Sequence, residues 1–300
     1  MAENAGFPLL PTEYDAATDP LALDWAQLYA DECEDAEAWA DLAVRALTVR
    51  DAARDEPRAV VAGFTAGRAR WRQALIILGH NDVWTAAVLG RKALALLQCA
   101  HDDVARVLPE AKTGATSKTE AERLATIWDE TLAQELIART DLAEMLGAIS
   151  GETSERIGVL MAGRERGHAG MPGPRSWRAL GCVHHNLSVA EVVRLRERAA
   201  RGGDVDPMVP TLSASRALEI RLQQLSADNP ITVTEATNTQ MQYAICLIIA
   251  QDASRAAALI KQHEPLLALI PGPHRARAAE QRENVIEMFR FAFPHHRGRL

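Results

Sequence analysis

The chain is short of the residues that staple small or secreted folds. Its four cysteines, Cys33, Cys99, Cys182 and Cys246, lie far apart with no C-x-x-C pair. That spacing speaks against a zinc ribbon or a disulfide framework and suits free thiols in a reducing compartment. Aromatic residues make up 5% of the chain and strand-like alternation is nearly absent, so a β-sandwich or barrel has little to build on. The longest apolar run, YAICLIIA at 243–250, falls far short of the roughly 20 residues that a membrane span needs. The opening MAENAGFPLLPTEYD is acidic where a secretory signal carries a basic region. These absences predict a soluble cytoplasmic protein that does not enter the membrane.

Enzyme signatures are missing too. There is no G-x-S-x-G nucleophile elbow and no H-E-x-x-H zinc helix. GATSKT at 114–119 stops short of a phosphate loop, because Ser117 and Lys112 stand where its two glycines belong. Cys182-Val-His184-His185 gathers three potential ligands in four residues, but tetrahedral zinc wants a fourth, and adjacent histidines point apart on any regular element. His101-Asp102-Asp103 likewise has cation-binding atoms and no partner motif. No catalytic residue, cofactor or metal ligand is expected, and an enzyme whose site escapes recognition stays a third reading.

What the chain does have is helix punctuation and uneven charge. The formal net charge is −7, yet residues 1–44 hold eleven acids and no lysine or arginine. Residues 156–201 hold nine arginines against three acids. At 300 residues, 48% of them hydrophobic, the chain can bury a sizeable core. Asp19-Pro20, the 3-4 pattern of Trp39, Leu42, Ala43 and Ala46, Pro57, and Asn81 as a cap predict four helices up to about Val107. Ser117-x-x-Glu120, Ser188-x-x-Glu191 and Thr232-x-x-Glu235 read as capping boxes, the last for a helix reaching Ile260 unless ITVT forms a strand. Leu212–Leu225 and 275–292 complete the set.

The predicted fold is all-α, a helical bundle or irregular array in two lobes. An acidic arm spans 1–44 and a helical lobe 45–166. A linker follows at GHAGMPGPRS, 167–176, where three glycines and two prolines cluster. The second lobe, 177–300, ends in a basic tail.

One stretch, RTDLAEMLGAISGETSERIGVLM at 139–161, has the layout of a helix-turn-helix. TDLAEMLG supplies a short first helix with small Ala143 at the contact and Gly147 at the turn. Ser150 caps a second helix whose Ile157, Leu160 and Met161 face inward, leaving Gly151, Glu152, Ser154, Glu155 and Arg156 nearer solvent. The pattern Ser150-x-Glu152-Thr153-x-x-Arg156-Ile157-x-x-Leu160 resembles the recognition helix of CRP-like bacterial regulators. That resemblance covers these 23 residues alone. It implies that Glu152 accepts from a cytosine amino group and Arg156 bonds guanine in double-stranded DNA. Gly151 stands in place of the family's first reading arginine, Ser154 replaces an apolar anchor, and the turn is one residue longer.

Arg164, Arg166, Arg175, Arg178, Arg194 and Arg198 would supply phosphate contacts beside Ser150, Glu152, Thr153 and Arg156. LSVAEVVRLRERA at 187–199 with 212–225 looks like a weaker variant of the same module. The leading expectation is a DNA-binding protein, either a transcriptional regulator or a plasmid or phage replication or partition factor. The alternative is a helical adaptor that takes a protein partner on its acidic N-terminal arm. A homodimer suits both.

Overall fold

The computed structural model describes residues 20–53, 57–107, 118–149, 151, 153–170, 173–270 and 272–299. Among these, eleven α-helices and no strand account for the regular structure, so the fold is all-α. None of the described helices is long and apolar enough to cross a membrane. The chain divides into two units, Met1–Ala179 and Leu180–Leu300. The boundary therefore falls inside a helix and not in the glycine- and proline-rich stretch expected to separate the lobes.

In the first unit, α1 (Pro20–Ala30) and α2 (Ala36–Ala52) pack on α3 (Pro57–Gly79), which also meets α4 (Val83–Val107) and α5 (Lys118–Gly147). Asp35 starts α2 by accepting a hydrogen bond from the Glu37 amide at 2.8 Å. Surrounded on several sides, α3 buries Ala59, Val60, Val61, Ala62, Phe64, Ala66 and Ala69. Gly67 permits its close approach to α4, since a Cβ there would lie 2.7 Å from Leu97 Cγ.

Arg68 of α3 is 2% exposed, and its guanidinium lies 3.5 Å from the Trp25 ring centroid. Burial pushes its pKa down to about 10, opposed by the nearby Glu130 charge, so it remains a cation at neutral pH. Trp25 in turn stacks on Tyr29, and Trp39 is fully buried. The described part of the acidic segment is thus built into this unit's core and is not a separate arm.

Several helix starts differ from expectation: Ser117 lies outside the described residues, and Ser188 caps nothing, since it sits inside the helix Pro174–Ala200 and its hydroxyl donates back to the His185 carbonyl at 2.6 Å. At the α3–α4 turn Asn81 takes a left-handed φ of 64°, and Asp82 caps α4 by accepting from the Thr85 amide at 3.1 Å. The short helix expected over 140–147 is instead the end of the 30-residue α5, which meets no glycine or proline before Gly147. Thr140 resembles a helix start, but its hydroxyl donates back to the Ile137 carbonyl at 2.6 Å. Next comes α6 (Thr153–Ala169), reached through Gly151 at φ 91°, a conformation that disfavours the arginine found there in the resembled family.

Both ends of the stretch 167–176 are held in place. Gly167–Ala169 ends α6, and Pro174–Ser176 is the first turn of α7 (Pro174–Ala200), with proline at its first helical position. From α5, the Asp129 carboxylate accepts from the Arg175 amide at 2.9 Å, the Ser176 amide at 2.8 Å and the Ser176 hydroxyl. This carboxylate caps α7 from a distant helix. Trp128 Nε1 donates to the Gly170 carbonyl at 2.7 Å. Glycine is needed at 173, because a Cβ there would sit 2.5 Å from Asp129 Cγ.

The second unit contains α7 from Leu180, α8 (Met208–Gln223), α9 (Pro230–Ile249), α10 (Ala253–Leu267) and α11 (Gly272–Ala292), followed by the 3₁₀ turn Pro294–Arg299. Its central helix is α9, which meets α8, α10 and α11. Met241, Ala244, Leu247 and Ile248 of α9 pack with Leu218, Ile260, Val285, Ile286 and Phe289. ITVT is helical, and the cap is Asn229, which accepts from the Ile231 amide at 3.0 Å, instead of Thr232. The helix expected to run to Ile260 breaks at Gln251, whose φ is 60°, and restarts with Asp252 capping α10.

Replacing Asp129 with Ala removes three charge-assisted hydrogen bonds and should cost about 2–3 kcal/mol, read as a lower urea midpoint. A midpoint unchanged by Asp129→Ala would return this stretch to the role of a loose linker. Asp141 of α5 gives a pH-dependent counterpart. It accepts from Trp71 Nε1 at 2.7 Å, while burial, with a further push from Glu144, raises its carboxyl to about 6. A raised acid stabilises the fold fully below pH about 4 and loses that contribution as pH climbs through 6. Asp141→Asn keeps the acceptor for Trp71 and should raise stability at pH 7.5 by about 1–3 kcal/mol. In thermal melts that gain should vanish toward pH 4; a gain independent of pH would contradict the assignment.

Candidate interaction surface

Of the residues expected to touch DNA, Ser150 and Glu152 lie outside the described residues. Thr153 is the first residue of α6 and partly buried. Arg156 does not face outward. Its guanidinium lies over Gly147, where an added Cβ would come within 2.9 Å of Nη1. Burial lowers its pKa against the pull of Glu144. Its neighbour Glu155, expected near solvent, forms a two-pronged ion pair with Arg91 of α4, both contacts at 2.7 Å.

The remaining arginines separate by unit and by partner. Arg166 bonds Asp102 and reaches the fully buried Glu135 at 3.2 Å, while Arg139 holds Glu135 from the other side at 2.9 Å. Arg175 pairs with Glu130 of α5. Arg164 is partly buried, 4.0 Å from Glu165, and Arg178 is also partly buried. In the second unit Arg194 pairs with the buried Glu191 at 2.5 Å, and Arg198 is exposed. The structure thus gathers Arg139, Arg166, Glu135 and Asp102 into one ion-pair network on three helices, α4, α5 and α6. The exposed positions of α6 are Ser154, Gly158, Met161, Ala162, Glu165, His168 and Ala169, none of them lysine or arginine.

The potential cation ligands in α4 diverge. His101 Nδ1 meets Thr131 Oγ1 at 2.9 Å, Asp102 takes Arg166, and Asp103 takes Arg50 at 2.8 Å. In α7, His185 Nδ1 meets Thr239 Oγ1 at 3.2 Å. Among the described residues no group of three His, Cys, Asp or Glu side chains is arranged to hold a metal ion.

A different surface emerges on α8. Its inner face buries Pro210, Ser213, Ala214, Ala217, Leu218 and Ile220. Its outer face leaves Met208 59%, Leu212 61% and Leu222 49% exposed, with Glu219 exposed and Ser215 partly so. Positions 208, 212, 215, 219 and 222 follow the alternating 4-3 spacing of a coiled-coil seam. The seam is apolar at both ends and polar in its middle, at Ser215 and Glu219. Val205 and Val209, also exposed, widen its apolar start beside Met208 and Leu212. These large apolar side chains share one solvent-facing side of the helix. Glu219, the one charge in the stripe, is paired with Arg216 at 2.5 Å.

Helix amphipathicity is legible in Leu212–Leu225, but the seam is not. The helix begins at Met208, inside what reads as a loop, because proline at 210 is tolerated in a first turn. The 4-3 alternation from Met208 to Leu222 is the signal that could have found it. No family model matches the chain, and no curated protein or solved structure matches it.

Proposed function

We propose that the protein is a helical interaction protein that associates with a second copy of itself through the outer face of α8. The observation carrying this reading is the stripe of exposed Met208, Leu212, Glu219 and Leu222 with the partly exposed Ser215 at its centre. The stripe is self-complementary. When two copies of α8 cross antiparallel with Ser215 against Ser215, Met208 falls opposite Leu222 at both ends. The small serine at the centre lets the two backbones approach, and each hydroxyl has its counterpart across the two-fold axis as a hydrogen-bond partner. A 16-residue helix pair with a partly polar seam is a small interface, so the dimer belongs to the transient class, with a dissociation constant on the order of micromolar or weaker.

Sedimentation velocity of the full chain at increasing concentration should show monomer converting to dimer. Leu212→Glu should abolish the dimer, and Glu219→Leu should tighten it about tenfold by replacing the one charge in the seam. A chain that stays monomeric up to roughly 100 micromolar, or a Leu212→Glu variant that still dimerises, contradicts the reading.

DNA association survives as a second reading on one observation. Arg196, Arg198 and Arg201 near the end of α7 are exposed and form no ion pair with any described residue. Such a group supports sequence-independent contact with phosphates. Anisotropy with a random duplex should then give a negative salt slope that becomes shallower by about 0.9 per arginine removed. A slope unchanged in the triple alanine variant removes this reading.

A further inference from the structure

The second unit has a cleft of about 440 Å³ between α7, α9 and α11, lined by His185, Asn238, Arg277, Glu280, Gln281 and Asn284. Four of these follow the spacing i, i+3, i+4, i+7 on α11 and so form one face of that helix. The face is polar throughout and lies beside the stripe of Ala278, Val285, Ile286 and Phe289 that α11 buries in the core. Asn238, Arg277, Glu280, Gln281 and Asn284 make no hydrogen bond or ion pair with any described residue. Their neighbours on the same helix behave otherwise, since Arg282 reaches Glu264 and Arg275 bonds the Ile270 and Ala268 carbonyls.

His185 of α7 also lines the cleft. Its Nδ1 is occupied by Thr239 Oγ1, and its Nε2 has no partner among the described residues. Burial, helped by the Arg221 charge nearby, lowers its pKa to about 4, so the ring is neutral and offers one uncharged hydrogen-bonding atom.

We propose that this cleft binds a small zwitterionic α-amino acid with a polar, uncharged side chain, its carboxylate on Arg277 and its ammonium on Glu280. The two charges lie one helical turn apart on one face, yet they form no ion pair with each other. A molecule carrying both signs satisfies both groups at once, whereas a simple anion would meet Glu280 and a simple cation would meet Arg277. Three primary amides and a neutral imidazole present donors and acceptors in nearly equal number, which suits an uncharged polar side chain. No aromatic or large aliphatic side chain lines the cleft, so it has no platform for a nucleobase or for the face of a sugar ring. The volume sits at the small end of the ligand-pocket range, roughly 300–1,000 Å³.

Isothermal titration of the full chain with L-glutamine, L-serine and L-threonine tests the site, with L-glutaminamide, adenosine monophosphate and glucose as comparison probes. At least one of the three amino acids should bind with a dissociation constant between about 1 micromolar and 1 millimolar. Arg277→Ala and Glu280→Gln should each weaken that binding about tenfold or more. Both positions are exposed, and an unchanged thermal midpoint in the absence of ligand verifies that each variant is folded. L-Glutaminamide, which lacks the carboxylate, should bind the chain and its Arg277→Ala variant equally weakly. No heat with any of the three up to about 10 millimolar overturns the proposal. So does unaltered binding in Arg277→Ala, or tighter binding of adenosine monophosphate or glucose.

Discussion

The carboxylate of Asp129 sets the arrangement of the first unit's later half. It stands in α5 and caps α7 by accepting from the amides of Arg175 and Ser176, forty-six and forty-seven residues further along. An N-terminus of a helix leaves its first amides without partners, and a buried carboxylate there satisfies them while matching the sign of the helix dipole. The passage from α6 to α7 is bound on both sides, by Trp128 at Gly170 and by Asp129 beyond Gly173. Glycine and proline, which usually interrupt helices, here allow a close approach and begin a helix.

The same logic governs the charges. The nine arginines of 156–201 look on the sequence like a basic surface, but Arg166 and Arg175 turn to acids on other helices and Arg156 is partly buried. Arg166 reaches Glu135 and Asp102, Arg175 reaches Glu130, and Arg156 covers the end of α5 at Gly147. Buried carboxylates such as Glu135 would be costly without such cations, so the pairs form a structural requirement before they form anything else. The acid-rich first segment is consistent with this. Trp25 lies against Arg68, Trp39 is fully buried, and the described part of the segment's surface is the outside of an ordinary helical unit.

Helix class and most helix positions are legible in the sequence because they are local. Pro57 at the start of α3 and the 3-4 spacing of Trp39, Leu42, Ala43 and Ala46 in α2 each report on a few neighbouring residues. The failures have local causes too. The hydroxyl of Thr140 looks the same in sequence whether it caps a new helix or bonds back into an old one. Gln251 with positive φ gives no warning of the break that Asp252 then repairs. The candidate site is the least legible part, because the partners that decide whether an arginine is free lie far away. Arg91 and Glu155 are sixty-four residues apart, as are Asp102 and Arg166. The α8 seam can be read from its 4-3 spacing, but only once the helix start at Met208 is known, and Ser215 and Glu219 dilute its apolar signal.

Whether two copies of α8 meet antiparallel about Ser215 is the question on which the proposed self-association turns. Single cysteines introduced by Met208→Cys and Leu222→Cys, in a chain carrying Cys99→Ser to remove the exposed native thiol, measure that register by mild oxidation. Each variant alone is expected to give little dimer, while an equal mixture cross-links efficiently, since disulfides form only across Cα separations of about 4.4–6.8 Å. Cross-linking of each variant with itself, and no gain on mixing, would contradict the antiparallel register.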